Sequence, residues 1–220
     1  MRTPSTDAAG AGAAGVDSAS VGAANARSAT IEELFRHAGA IRNGHFLLKS
    51  GRHAERYLEK FLVLQHPAIG VEIARRMADA LTPYRPTLVV GPTTGGVILS
   101  FEVARLLADL LRVEVRAAFA EPIPAGGRAL RRGWHVDVAE RVVLVDDILT
   151  TGASVRETAE AVRAAGAGPL AVAVIVDRST DPLELGIPLH ALDRLEIPSW
   201  PADACPACAR GDPLARPGSG

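Results

Sequence analysis

This sequence predicts an α/β fold, a parallel twisted sheet flanked by helices, and three observations carry that prediction. Residues 142–145 read Val-Val-Leu-Val and residues 170–176 read Leu-Ala-Val-Ala-Val-Ile-Val. A strand that is apolar at every position is one covered on both faces. Such runs alternate with stretches of helical period, the order that joins parallel strands through crossover helices. Between strand and helix stand loops rich in Gly, Thr and Asp, at 91–96 and 146–154, where an open α/β sheet places its ligands.

The elements follow in chain order. Residues 1–28 are dominated by Ala, Gly, Ser and Thr, without an apolar period or an aromatic residue. They cannot bury enough surface to offset ordering entropy, so a disordered extension is expected, with the domain spanning 29–220. Thr30 and Glu33 form a capping box, and Ile31, Leu34, Phe35 and Ala38 share one helical face before Gly39. Short strands are expected at 46–48 and 61–64, on either side of the polar stretch 50–56. Pro67 suits the first helical position, and Ile69, Ile73, Met77 and Leu81 continue an apolar face. Then come a strand at 88–90, a glycine-rich loop, and a helix through Val97, Phe101, Ala104 and Leu107. A strand at 113–119 leads into a long segment, 120–133, whose two prolines, three glycines and three arginines predict a mobile cationic flap. The strand at 142–145, a polar turn at 146–154, a helix at 155–165 stopped by Gly166 and the strand at 170–176 complete the pattern. No repeat is visible.

Composition removes several function classes. Twenty-four basic against 25 acidic residues leave a formal net charge of -1, so no global field gathers nucleic acid. No apolar run approaches the roughly 20 residues that span a bilayer, and residues 1–28 lack the basic start and apolar stretch of a secretory signal. A cytoplasmic protein with neither nucleic-acid nor membrane partners is expected. The only cysteines, Cys205 and Cys208, are spaced C-x-x-C. A structural zinc site would need a second copy or histidines brought from elsewhere; a redox pair and simple packed thiols are the alternatives. Lys49 and Lys60 are the only lysines in an arginine-rich chain, and a lysine that survives such a bias can have work that arginine cannot do.

The chemistry concentrates in two loops. Thr150, Thr151, Gly152, Ala153 and Ser154 can offer successive backbone N–H groups, hydroxyls and a helix N-terminus, which together bind a phosphate dianion. Asp146 and Asp147, just before them, repel phosphate but accept hydrogen bonds from sugar hydroxyls or orient water on Mg²⁺. A ribose 5-phosphate satisfies both ends. Each feature alone is an ordinary turn or cap; their joint spacing after a buried strand is not. In Gly91-Pro92-Thr93-Thr94-Gly95-Gly96, the glycines permit the close backbone approach that a diphosphate demands. No Walker A sequence and no G-x-G-x-x-G occurs.

The stretch 142–154 resembles the phosphoribosyl diphosphate (PRPP) motif of type I phosphoribosyltransferases, and the loop at 91–96 resembles their diphosphate loop. Three further segments resemble the orotate phosphoribosyltransferase family: Gly44-His45-Phe46-Leu47-Leu48-Lys49-Ser50-Gly51-Arg52 followed by Tyr57, Val176-Asp177-Arg178, and the tail with Cys205 and Cys208. The resemblance runs from about Thr30 to the end. It implies a sheet domain with a small N-terminal hood, and transfer of phosphoribose from PRPP to orotate with Mg²⁺ on the diphosphate. It further implies PRPP contacts at Lys49, Thr94, Gly95, Asp146, Asp147, Ile148, Leu149, Thr150, Thr151, Gly152, Ala153 and Ser154, and orotate contacts at Thr150 and Arg178. Lys49, Arg128, Arg131, Arg132, Asp146 and Asp147 would be the catalytic groups, in a homodimer whose flap reaches the neighbouring site.

One departure stands out. Pro122 occupies a position where the family carries a basic residue, and no lysine follows residue 60. Two other readings stay open: transfer to a different base, and a regulatory protein that keeps the PRPP site without catalysis.

Overall fold

The computed structural model describes residues 23–48 and 50–217. Helices α1 (Ala23–Ser28) and α2 (Ile31–His37) lead into the hairpin β1 (Ile41–Leu47) and β2 (His53–Leu58). Helices α3 (Lys60–Leu64) and α4 (Pro67–Leu81) follow, then β3 (Leu88–Pro92), α5 (Gly95–Leu111), β4 (Arg116–Pro122) and β5 (Arg128–Leu130). The chain continues through β6 (Val142–Leu149), α6 (Ala153–Ala164), β7 (Pro169–Asp177) and β8 (Leu189–Arg194), and closes with β9 (Ser199–Trp200), α7 (Pro206–Ala209) and β10 (Leu214–Ala215). The main sheet has the order β5-β4-β3-β6-β7-β8, and a second sheet, β10-β1-β2-β9, forms the hood. Every pairing in the main sheet is parallel except β4 with β5.

The apolar runs are buried on both faces, as a parallel sheet requires. Val89, Val143, Val145, Ala173 and Ile175 pack with Ile73, Met77, Leu99, Val103 and Leu107 of α4 and α5. Their neighbours Leu88, Val90, Leu144, Val172 and Val174 pack instead with Val155, Ala159 and Val162 of α6. The chain steps outward from β3 to β4, then returns to the other side of β3 with β6 and continues to β7 and β8. The order therefore reverses between β3 and β6, and the two candidate loops leave these adjacent strands at that crevice.

Local signals hold where chemistry is local. The Thr30 hydroxyl accepts from the Glu33 amide at 3.2 Å while the Glu33 carboxylate accepts from the Thr30 amide at 2.7 Å, and Pro67 opens α4. Four expectations change. The disordered extension expected to reach residue 28 is ordered from Ala23, because Ala26 is fully buried and Arg76 donates to the carbonyls of Ala26 and Ala29 at 3.0 and 2.8 Å; residues 1–22 lie outside the described residues. The strand expected at 61–64 is helix α3, which turns the chain from β2 into α4 and buries Val63 and Leu64. The flap at 120–133 is in part a hairpin, with Ala120, Glu121 and Pro122 opposite Leu130, Ala129 and Arg128. The strand expected at 142–145 continues to Leu149, so Asp146 and Asp147 stand on a strand rather than in a turn.

Candidate active site

Consecutive residues on a strand point to opposite sides, and the acidic pair is divided accordingly. Asp146 faces the start of α6. Its Oδ2 accepts from the Ser154 hydroxyl at 2.6 Å and its Oδ1 from the Asp147 amide at 2.8 Å. Burial first, and the neighbouring Asp147 charge second, push its carboxyl up to about 6, while Ser154, the Asp147 amide and Lys60 act in the other direction. Asp147 faces α3 and α5. Its Oδ1 accepts from Lys60 Nζ at 2.8 Å and from the Ile148 amide at 2.7 Å. Its Oδ2 lies 2.7 Å from the same ammonium without an aligned hydrogen bond of its own.

The glycine-rich loop after β3 is shaped by contact. A Cβ at Gly91 would stand 2.4 Å from the Gly96 carbonyl oxygen, and one at Gly95 would stand 2.0 Å from Asp147 Oδ2. Bare glycines bring this loop against itself and against the carboxylate. Thr94 is exposed and precedes α5, so its side chain and the first N–H groups of that helix border the crevice. Across it, Thr150 and Thr151 are exposed, Gly152 holds a left-handed conformation with φ of 73°, and Ala153 and Ser154 begin α6. Ile148 and Leu149 complete β6 behind them.

Arg178 follows β7 directly, its amide donating to the Leu149 carbonyl at 2.8 Å. Burial draws its guanidinium below the ordinary arginine range, with the nearby Tyr57 phenol acting in the other direction. Its Nε is buried and has no hydrogen-bond partner among the described residues. Such a group is costly unless a ligand meets it.

The three flap arginines differ. Arg128 donates to the carbonyl of Ala120 at 3.1 Å and to the hydroxyl and carbonyl of Thr93 at 3.3 and 3.4 Å, and its Nε lies 3.4 Å from Glu157. It holds the hairpin against its own chain's glycine-rich loop. Arg132 is paired with Glu121 at 2.8 and 2.9 Å on the exposed surface. Arg131 is exposed. Arg128 stands opposite Pro122 in the ladder. Opposed residues share a face, so the strand across from Pro122 supplies a cation beside the position that lacks one. Lys49 lies outside the described residues.

Sequence reasoning passed over Lys60. Its one signal, survival among arginines, was shared with Lys49, and only folding carries the first residue of α3 to the end of β6.

Two strand-loop-helix units that meet at a topological switch, with hydroxyls, backbone donors and a divided acid pair between them, define a class of protein that handles a phosphorylated sugar. The phosphoribosyl transferase domain family matches residues 63–202. The chain is 40% identical over 187 residues to the orotate phosphoribosyltransferase of Caldanaerobacter subterraneus subsp. tengcongensis, a match covering 85% of this chain and 95% of that one. It is 42% identical over 189 residues to that of Pelotomaculum thermopropionicum, covering 86% and 96%. The chain belongs to the orotate phosphoribosyltransferase family. Among solved structures, the enzyme of that name from Mycobacterium tuberculosis H37Rv has a similar fold, with a TM-score of 0.62 at 24% identity over 75% of this chain and 94% of that one. The Aeropyrum pernix enzyme gives 0.57 at 24% identity over 76% and 94%.

Proposed function

We propose that the protein transfers phosphoribose from PRPP to orotate, forming orotidine 5′-monophosphate and diphosphate. The observation that carries this reading is the Arg178 guanidinium, buried and with Nε unpartnered among the described residues, at the carboxyl end of β7 beside the last residue of β6. A planar cation with free donors suits a planar carboxylate through two parallel hydrogen bonds, and orotate brings such a carboxylate. The 5-phosphate fits the turn from Thr150 to Ser154 at the N-terminus of α6. Asp146 and Asp147 serve the ribose hydroxyls from two sides, with Lys60 holding Asp147 in place. Thr94 and Gly95 border the diphosphate, and the resemblance adds Lys49 to the groups that contact it. As the bond from C1′ loosens, positive charge grows on the ribose between the carboxylates, while Arg128 and its neighbours face the departing anion.

The acid pair is an all-oxygen donor set, which suits a hard cation or the water bound to it. Bound Mg²⁺ would neutralise charge on the diphosphate. The protein is proposed to act as a cytoplasmic homodimer. No helix among the described residues is long and apolar enough to cross a membrane.

The test is turnover of purified protein with PRPP, Mg²⁺ and a panel of bases. Orotate is expected to react and uracil, which lacks the carboxylate, to fail. Equal turnover of both, or reaction only with a purine, would overturn the assignment.

A further inference from the structure

Outside the active site, four side chains with metal-ligating atoms converge where the hood meets the tail. His45 of β1, His53 of β2, and Cys205 and Cys208 around α7 place one ligand atom each within 4.8 Å of one another. His45 Nε2 lies 2.8 Å from His53 Nδ1, 3.6 Å from Cys205 Sγ and 3.5 Å from Cys208 Sγ, and Cys208 Sγ lies 3.2 Å from His53 Nδ1. Ligands at ordinary zinc bond lengths on a tetrahedron stand roughly 3.3 to 3.8 Å apart. The observed spacings bracket that range and are reached by small shifts of side chains. Both histidines and Cys205 are buried.

The protonation pattern also points to a cation. His45 Nδ1 is 2.9 Å from the carbonyl oxygen of Asp212, to which it can only donate. In the neutral ring Nε2 therefore carries the lone pair, and three other polar atoms crowd around it. One lone pair cannot serve three neighbours; a cation at their centre serves all four. A ring nitrogen donating to a carbonyl while the other faces the metal is the usual arrangement of a histidine ligand.

We propose that His45, His53, Cys205 and Cys208 form a structural zinc site that staples the C-terminal tail to the hood. Two thiolates and two imidazoles are the donor set of a closed tetrahedral zinc centre. Zinc binding converts both thiols to thiolates and releases their protons to solvent. The surrounding contacts run along the same seam: His45 pairs with Leu214 of β10, and Arg210 bridges Glu55 of β2 and Asp212. The two histidines stand at the turn end of the β1–β2 hairpin, on either side of the connecting segment that contains Lys49. The staple would fix the base of that segment to the tail through side chains the phosphoribosyl transfer itself does not use.

The experiment measures metal on the full-length protein, purified without chelator, by elemental analysis, and follows Co²⁺ substitution by absorption. The expected result is about one zinc per chain, released when a mercurial blocks the thiols, and a Co²⁺ form with thiolate charge-transfer and tetrahedral d–d bands. Cys208→Ser is expected to lower zinc affinity by about tenfold or more, and a chelator to lower the unfolding temperature of the wild type but not of a Cys205→Ser, Cys208→Ser variant. The proposal fails if reduced wild-type protein neither retains nor takes up stoichiometric zinc, if its Co²⁺ spectrum lacks thiolate bands, or if Cys205 and Cys208 are recovered as a disulfide that zinc and reductant do not displace. The wild-type measurements decide the matter even where a variant does not fold.

Discussion

The Asp147 carboxylate rests against the bare Cα of Gly95, in the space a side chain at position 95 would claim. Gly95→Ala is therefore expected to push Asp147 off Lys60 while leaving the backbone conformation allowed. Overpacking of this kind costs about 1 to 3 kcal/mol. A lower unfolding temperature together with a raised KM for PRPP is the expected outcome of thermal denaturation and steady-state kinetics. An unchanged KM would separate the glycine from the site.

Lys60 is the counter-charge for a carboxylate that is otherwise buried. Lys60→Met leaves that carboxylate unpaired. Because the lysine side chain is 33% exposed, the expected loss is moderate, on the order of 1 to 3 kcal/mol. Lys60→Arg keeps the charge but not the compact ammonium that reaches both oxygens, and is expected to restore only part of the stability and of the PRPP affinity. Full retention of both by Lys60→Met would remove the lysine from the site.

Asp146 gives a pH signature. Its carboxyl is raised from 3.8 to about 6 in the folded protein, so the folded state holds the proton more tightly than the unfolded state. Its contribution to stability is fully present below 3.8 and is lost as pH rises through about 6. The loss is on the order of 2 to 3 kcal/mol. Asp146→Asn cannot titrate, so the unfolding temperature of the wild type relative to this variant is expected to fall across that window, measured without PRPP because its phosphate titrates in the same range. A constant difference would show that the raised pKa is absent.

How much of this was legible in the sequence depended on the range of the interaction. The strand at 142–145 and the hydroxyl-rich turn at 150–154 were readable because a continuous apolar run, hydroxyls and glycine act within a few residues of one another. The helix at 60–64 was not, since a short apolar run fits strand and helix alike. The division of Asp146 from Asp147 followed only once the strand was seen to continue past Val145. Lys60 and the histidines near the C-x-x-C pair meet their partners through sheet pairing and helix packing between distant segments, and no local spacing announces that.

The last prediction concerns which chain completes each site. The resemblance implies a homodimer whose flap crosses to the neighbour, yet Arg128 is bound to Thr93 and Ala120 of its own chain, whereas Arg131 is exposed and Arg132 is held only by a surface pair with Glu121. A surface pair of this kind contributes little and is readily exchanged. The flap is thus expected to be divided: Arg128 serves its own chain, and Arg131 with Arg132 serves the partner. Subunit mixing separates these roles. An Arg131→Ala, Arg132→Ala variant mixed with Asp147→Asn is expected to regain activity, because one of the two sites in a mixed dimer is then intact. Arg128→Ala mixed with Asp147→Asn is expected to regain none, because each site keeps one defect. With subunit exchange verified by mass, rescue in the second mixture would place Arg128 in the partner's site, and failure in the first would return the whole flap to its own chain.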